Sequence, residues 1–164
     1  MNVMRDPALT VSPVADAAWK AAWFSEIQAV AIYEAECWAL KFTAFGEKRK
    51  RAKVEFEEVL GEEKEHALGL MENHASELQT LDHLQATLNR LAGRILGVAL
   101  TLLPVKWSYA IHVWAERQAS EIYRDTATVW KSAGGSEAMI SFLREAENQE
   151  ELHARRFERL RDLI

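Results

Sequence analysis

A glutamate and a histidine three residues apart on a helix project from one face and can grip a single metal ion. This chain carries that spacing twice, as EKEH from Glu63 to His66 and as EELH from Glu150 to His153. Two such pairs predict two metals. A carboxylate-bridged site in a helical bundle asks for one further inward-facing Glu from each of two more helices. Glu26, in SEIQAVAIY, and Glu116, in AERQASEIY, answer that need, and each is followed seven residues later by a tyrosine, Tyr33 and Tyr123. The order Glu, E-x-x-H, Glu, E-x-x-H is an internal two-fold repeat.

Composition agrees with a bundle. At 164 residues and 49% hydrophobic content the chain is long enough for one continuous core. Seven Gly, three Pro and an abundance of Ala, Leu, Glu, Lys and Arg favour helix and supply no hairpin punctuation. The expectation is an all-α fold, with residues 1–15 as a loose lead-in and 16–164 as a single domain. A formal charge of −5 argues against nucleic acid as a partner. The lone Cys37 cannot form an internal disulfide, which suits a reducing compartment. The N-terminal stretch lacks the apolar core of a signal peptide, and no run is long enough to span a bilayer. A cytoplasmic location is expected.

Along the chain, a first helix is expected from about Asp16 to Phe42, with a stripe through Trp19, Trp23, Val30, Tyr33, Cys37 and Leu40 that takes in Glu26. A buried lone carboxylate costs several kcal/mol or stays protonated, roughly; a cation would hold it ionised. Gly46 marks a turn, and in the second helix Phe56, Val59, Leu60, Ala67 and Leu70 align with Glu63 and His66. Glu62 competes with Glu63 as a ligand, and the parallel with Glu150 favours Glu63. Pro104 suits the start of a helix carrying Tyr109, His112, Val113, Glu116, Tyr123, Ala127 and Trp130 on one stripe. The sequence AGGS ends it, and Ser136 caps a last helix with Met139, Leu143, Ala146, Glu150, His153, Phe157 and Leu160 inward.

Between the two halves, Leu84, Leu88, Leu91, Ile95, Val98 and Leu102 keep helical period, and Ile95 to Leu103 carries no charge. With Arg90, Arg94 and Lys106 flanking it, this segment reads either as a helix lying in a membrane interface over residues 84–103 or as a buried connector or oligomer contact.

A single E-x-x-H arises by chance in polar helices; two pairs and two matching Glu in order do not. Mixed carboxylate and imidazole ligation suits iron or manganese, and Cys37 is too isolated to contribute.

The ordered set Glu26, Glu63, His66, Glu116, Glu150 and His153 resembles the ferritin-like di-iron proteins. The segments EIQAVAIY, GEEKEHALGL, AERQASEIY and EELH resemble more closely the demethoxyubiquinone hydroxylase family of ubiquinone biosynthesis. The resemblance runs from about Trp19 to the end. It implies a ferritin-like four-helix bundle with an additional apolar connecting helix between the helical pairs. It also implies two iron ions, with Glu26 and Glu63 in one half-site and Glu116 and Glu150 in the other, and Tyr33 and Tyr123 near the centre. The implied activity is that of a monooxygenase, hydroxylating a quinone ring with dioxygen at the inner face of a membrane. Ile122 stands where the family commonly has a histidine beside the second tyrosine.

Other readings come from different classes: a soluble oxidase or peroxidase of the rubrerythrin kind, or a non-catalytic helical interaction module. His112, one turn before Glu116, reads more readily as a core or rim histidine than as a partner of the site; His74 and His83 read as surface. The run KRKRAK reads as a solvated helix end or a contact for anionic lipid. Trp19, Trp23 and Trp38 line a channel or fill the bundle.

Overall fold

The structure, a computed structural model, describes residues 12–43, 45–74 and 78–164. These form five helices, α1 (Pro13–Thr43), α2 (Glu47–Asn73), α3 (Thr80–Leu102), α4 (Val105–Ser132) and α5 (Glu137–Asp162), with no strand among the described residues. The start of the first helix differs from expectation. Ser12 accepts a hydrogen bond from the Ala15 amide and Pro13 opens the first turn, so α1 begins ahead of Asp16. Pro7 and the rest of residues 1–11 lie outside the described residues. Ser136 caps α5 as expected, accepting from the Met139 amide.

Two apolar clusters fill the two ends of the bundle. One gathers Trp19 and Trp23 with Leu70, Tyr123, Trp130, Met139 and Leu143. The other gathers Tyr33 and Leu40 with Phe56, Tyr109, Val113 and Phe157. On α1, α2, α4 and α5 alike, the glutamates singled out above fall between residues of one cluster and residues of the other. The core is thus apolar at both ends with a polar layer in the middle.

The same two clusters fix the topology. α1 and α5 run from the first cluster to the second, whereas α2 and α4 run the other way. Because α2 and α4 are parallel, α2 ends at the opposite end of the bundle from the start of α4, and a connection must travel its full length. α3 is that connection, and it runs parallel to α1. Its N-terminal turn is fixed by a capping box between Gln79 and Asp82 and by an ion pair of Asp82 with Lys20 of α1 at 3.0 Å.

The face that α3 buries is its small-residue face: Ala86, Gly93, Gly97, Leu100 and Thr101. A Cβ built on Gly97 would meet the Ile32 carbonyl oxygen at 2.3 Å, and one on Gly93 the Gln28 carbonyl oxygen at 2.6 Å. The two backbones therefore touch where only glycine fits. The leucine stripe points outward instead, with Leu84, Leu88, Leu91, Ile95 and Leu102 all exposed. This corrects the reading of α3 as a buried connector. Trp38 is likewise exposed, against Phe42. Trp19 and Trp23 stack inside the bundle, and the Trp19 indole N–H donates to the Leu70 carbonyl at 2.9 Å. His74, read from the sequence as surface, packs edge-on against Trp19 and Trp130; His83 is exposed.

Candidate metal centre

The middle layer holds Glu26 from α1, Glu63 and His66 from α2, Glu116 from α4, and Glu150 and His153 from α5, every one of them buried. Their ligand atoms converge in two groups, Glu26, Glu63, His66 and Glu150 in one, Glu63, Glu116, Glu150 and His153 in the other. Within each, the ligand atoms lie within 4.8 Å of one another. Glu63 and Glu150 belong to both. Glu26 thus shares a group with Glu63, and Glu116 with Glu150, as the resemblance implies; Glu26 and His66 occur in one group alone, Glu116 and His153 in the other, and the two E-x-x-H glutamates are common to both.

Both histidines turn Nδ1 inward. His66 Nδ1 lies 2.9 Å from Glu150 Oε1 and 3.9 Å from Glu26 Oε2. His153 Nδ1 lies 3.4 Å, 3.6 Å and 3.5 Å from carboxylate oxygens of Glu63, Glu116 and Glu150. The outer nitrogens are tied off across the bundle. His66 Nε2 pairs with Gln149 Oε1 at 2.5 Å, and His153 Nε2 pairs with Glu62. Glu62 and Gln149 are the residues directly before Glu63 and Glu150, so the residue ahead of each pair's glutamate braces the other pair's histidine. With a proton held at Nε2, each ring would offer the Nδ1 lone pair to a bound metal. Glu62 therefore has a partner of its own and is half-exposed, whereas Glu63 is buried in the layer.

The layer crowds buried acids together, and their titration reflects it. Burial, then the charge on Glu63, pushes the Glu26 carboxyl well above its ordinary range. Burial, then the charges of Glu150 and Glu116, raises Glu63 to about 8. Glu150 is likewise pushed far up, chiefly by burial. Glu116 goes down: burial opposes its charge, but the nearby His153 ring and Glu150 carboxyl and the Tyr33 hydroxyl outweigh it. Burial disfavours a charged His153 ring, yet the carboxylates of Glu116, Glu150 and Glu63 hold its pKa far above the usual range. Buried Glu26 Oε2, Glu63 Oε1, both Glu150 oxygens and Nδ1 of both histidines make no hydrogen bond. Three carboxylates and two imidazoles with unpartnered atoms, joined by the Glu116 carboxylate, fit two divalent cations, which would satisfy those atoms and reverse the upward shifts.

The tyrosines attach to opposite sides. Tyr33 donates to Glu116 Oε1 across the bundle. The Tyr123 ring stands edge-on to His66 at 5.8 Å, with its buried hydroxyl unpartnered. Burial and then neighbouring carboxylates, Glu116 for one and Glu26 for the other, push both phenols well above the usual range. Ile122, beside Tyr123, packs against the first apolar cluster.

The sequence reading missed a second buried pair. Glu36 on α1 is fully buried and its Oε1 lies 3.0 Å from His112 Nε2 on α4, with the Ser108 hydroxyl donating to the same oxygen at 3.5 Å. The His112 ring stacks on Tyr33 with centroids 4.9 Å apart. The signal was available: Glu36 lies one helical turn beyond Tyr33, and His112 was already placed on the inner stripe of α4. A cavity of about 270 Å³ opens among α1, α3 and α4 and reaches the metal layer. Its walls include Ile32, Leu96, Leu100 and Trp114, together with Tyr33, His112, Glu63 and Glu116.

Four long helices around a buried layer of carboxylates and imidazoles, with a crossover helix on the outside, define an all-α ferritin-like helical bundle. Within that class, residues 18–156 match the family described as Ubiquinone biosynthesis protein COQ7. That span is well over half of the chain, and the chain belongs to this family. No curated protein and no solved structure matches it.

Proposed function

We propose that the chain is a di-iron monooxygenase that hydroxylates the ring of a quinone or quinol with dioxygen at a membrane surface. The observation that carries this reading is the junction of the two metal-ligand groups with an apolar cavity, in a chain of a ubiquinone-biosynthesis family. An oxidase that consumes only oxygen or peroxide has no need of such a cavity beside its metals.

Glu26 and His66 would hold one iron, Glu116 and His153 the other, and Glu63 and Glu150 would be shared. When bound, the iron pair supplies the two-electron reduction of dioxygen that puts one oxygen atom into a ring C–H bond and sends the other to water, with two electrons from an external reductant. The protein's part is positional. Glu62 and Gln149 fix the histidine tautomers, Tyr33 holds Glu116, and the apolar walls contributed by α3 keep water away from the reacting ring.

The lipid side of the reading rests on α3. Among the described residues no helix is long and apolar enough to cross a membrane. Leu96 of α3 and Trp114 of α4 are both exposed, and both line the cavity together with buried Leu100. An apolar surface continuous with a cavity mouth suits a substrate drawn from lipid.

The test is anaerobic ferrous titration followed by single-turnover reaction with a methoxy-substituted quinol under isotopically labelled dioxygen. The expected product carries one labelled oxygen on the ring. Stoichiometric iron with labelled water as the only product would overturn the hydroxylase reading and leave an oxidase.

A further inference from the structure

Among the described residues, His112 is the one buried polar residue on the cavity wall, outside the carboxylate and imidazole layer, that has a side-chain atom left over for a ligand. The Tyr33 hydroxyl is spent on Glu116, and Glu63 and Glu116 belong to the metal layer. His112 uses Nε2 on Glu36, and among the described residues nothing pairs with Nδ1. The ring itself cannot turn freely. It is stacked on Tyr33 and packed against Phe56 and Phe157, with centroids 4.9 Å and 5.0 Å away.

A buried carboxylate and imidazole pair stabilises a fold no better than two apolar side chains of similar volume would. What this pair adds is a fixed polar atom on an apolar wall. Glu36 determines which nitrogen is occupied, Ser108 supports Glu36, and the aromatic rings set the plane. An imidazole held this way, with its Nε2 proton directed to the Glu36 carboxylate, offers the Nδ1 lone pair to an oxygen that donates, such as a ring hydroxyl. Apolar sites of this size take their orientation from a few such groups.

We infer that His112, braced by Glu36, is the group that binds a ring oxygen of the substrate in the cavity and so sets which ring carbon faces the metal layer. The inference rests on the quinone reading above and adds a residue to it. His112 touches the substrate; Glu36 acts through His112 as a positioning residue.

The experiment uses the anaerobic ferrous protein and two probes, a methoxy-substituted quinol with a short alkyl tail and the same ring with both hydroxyls methylated. Affinities are read by calorimetry, with bound iron counted in every sample. The principal variant is E36L/H112F, which removes the pair without leaving an orphaned charge and keeps an aromatic ring on Tyr33. It is expected to retain its iron, to bind the quinol about tenfold more weakly, the scale of one hydrogen bond, and to bind the methylated probe as the parent does. Equal quinol affinity in variant and parent overturns the role of His112 and leaves the quinone reading standing. A parent that binds no quinol overturns that reading and this inference with it. If the double variant loses iron, Glu36→Gln alone decides. It keeps the shape and a hydrogen bond at Nε2 but no fixed acceptor charge, and a severalfold loss for the quinol only is expected, unchanged affinity being the contrary result.

Discussion

Glu62 reaches across the bundle from α2 to hydrogen-bond Nε2 of His153 on α5, and it is the carboxylate half of an unequal pair of braces. Its counterpart, Gln149, offers His66 only a neutral amide oxygen. A carboxylate makes the ring it holds a stronger donor than an amide does, so the two sides of a symmetric-looking site differ. Glu62→Ala is expected to weaken ferrous binding about 10–100-fold, Gln149→Ala by less, and Glu62→Gln to recover part of the loss. Anaerobic titration gives these affinities; equal effects from the two alanine variants would remove the asymmetry.

Sharing of Glu63 and Glu150 by both ligand groups predicts a pattern of stoichiometry. The double variant E63A/E150A should fall from about two irons per chain to about none, whereas Glu26→Ala or Glu116→Ala should each leave about one. Iron counted after gel filtration checks this. A single iron in the double variant would mean that the shared glutamates do not bridge.

Stability of the metal-free protein should run against the usual trend with pH. The Glu63 carboxyl rises from 4.5 to about 8 on folding, through burial and the charges of Glu150 and Glu116. The folded state therefore holds a proton that the unfolded state has released. Stability is full below the unfolded value and is lost as pH climbs from about 4.5 to about 8. Ferrous iron should reverse the slope, because protons then compete with metal. Denaturant midpoints across that range, with and without iron, provide the measurement. A metal-free midpoint that climbs with pH would contradict the charge balance described here.

Close contact of α3 with α1 makes Gly97 irreplaceable while Gly61, which faces open space on α2, is not. Gly97→Ala should cost roughly 1–3 kcal/mol, and Gly61→Ala should stabilise by up to about 1 kcal/mol. Thermal unfolding of the two variants compares them directly, and a neutral Gly97→Ala would argue that α3 does not sit this close.

Making Leu91, Ile95 and Leu102 polar should leave iron binding and the fold intact, since all three side chains are exposed. Co-sedimentation with anionic vesicles should fall severalfold. Undiminished sedimentation would assign lipid binding to some other face, or to none.

The buried layer of carboxylates and imidazoles was legible because side chains that share one face of a helix must obey its period, so a doubled E-x-x-H and two Glu at like separations appear in the sequence as a pattern. Glu36 with His112 was less so. Their partnership is made across two helices, and beside Cys37 a single Glu on a broad stripe looks like a boundary residue. For α3, period alone shows that one face is apolar and not which face is buried. The leucines signalled an apolar face, but the glycines decided the packing, because a helix pressed against another's backbone has room for nothing larger. His74 was misread for the opposite reason, its shelter coming from two tryptophans distant in sequence.

The parallel course of α2 and α4 obliges the chain to build a crossover, and that crossover is also a wall of the cavity. The separation between α3 and α1 is thereby a gauge. Gly93 and Gly97 set it at its minimum, and any residue there with a side chain would push α3 outward and widen the space in front of Glu63 and Glu116. The width of the space in front of Glu63 and Glu116 is thus set by two glycines that are not among the residues lining it.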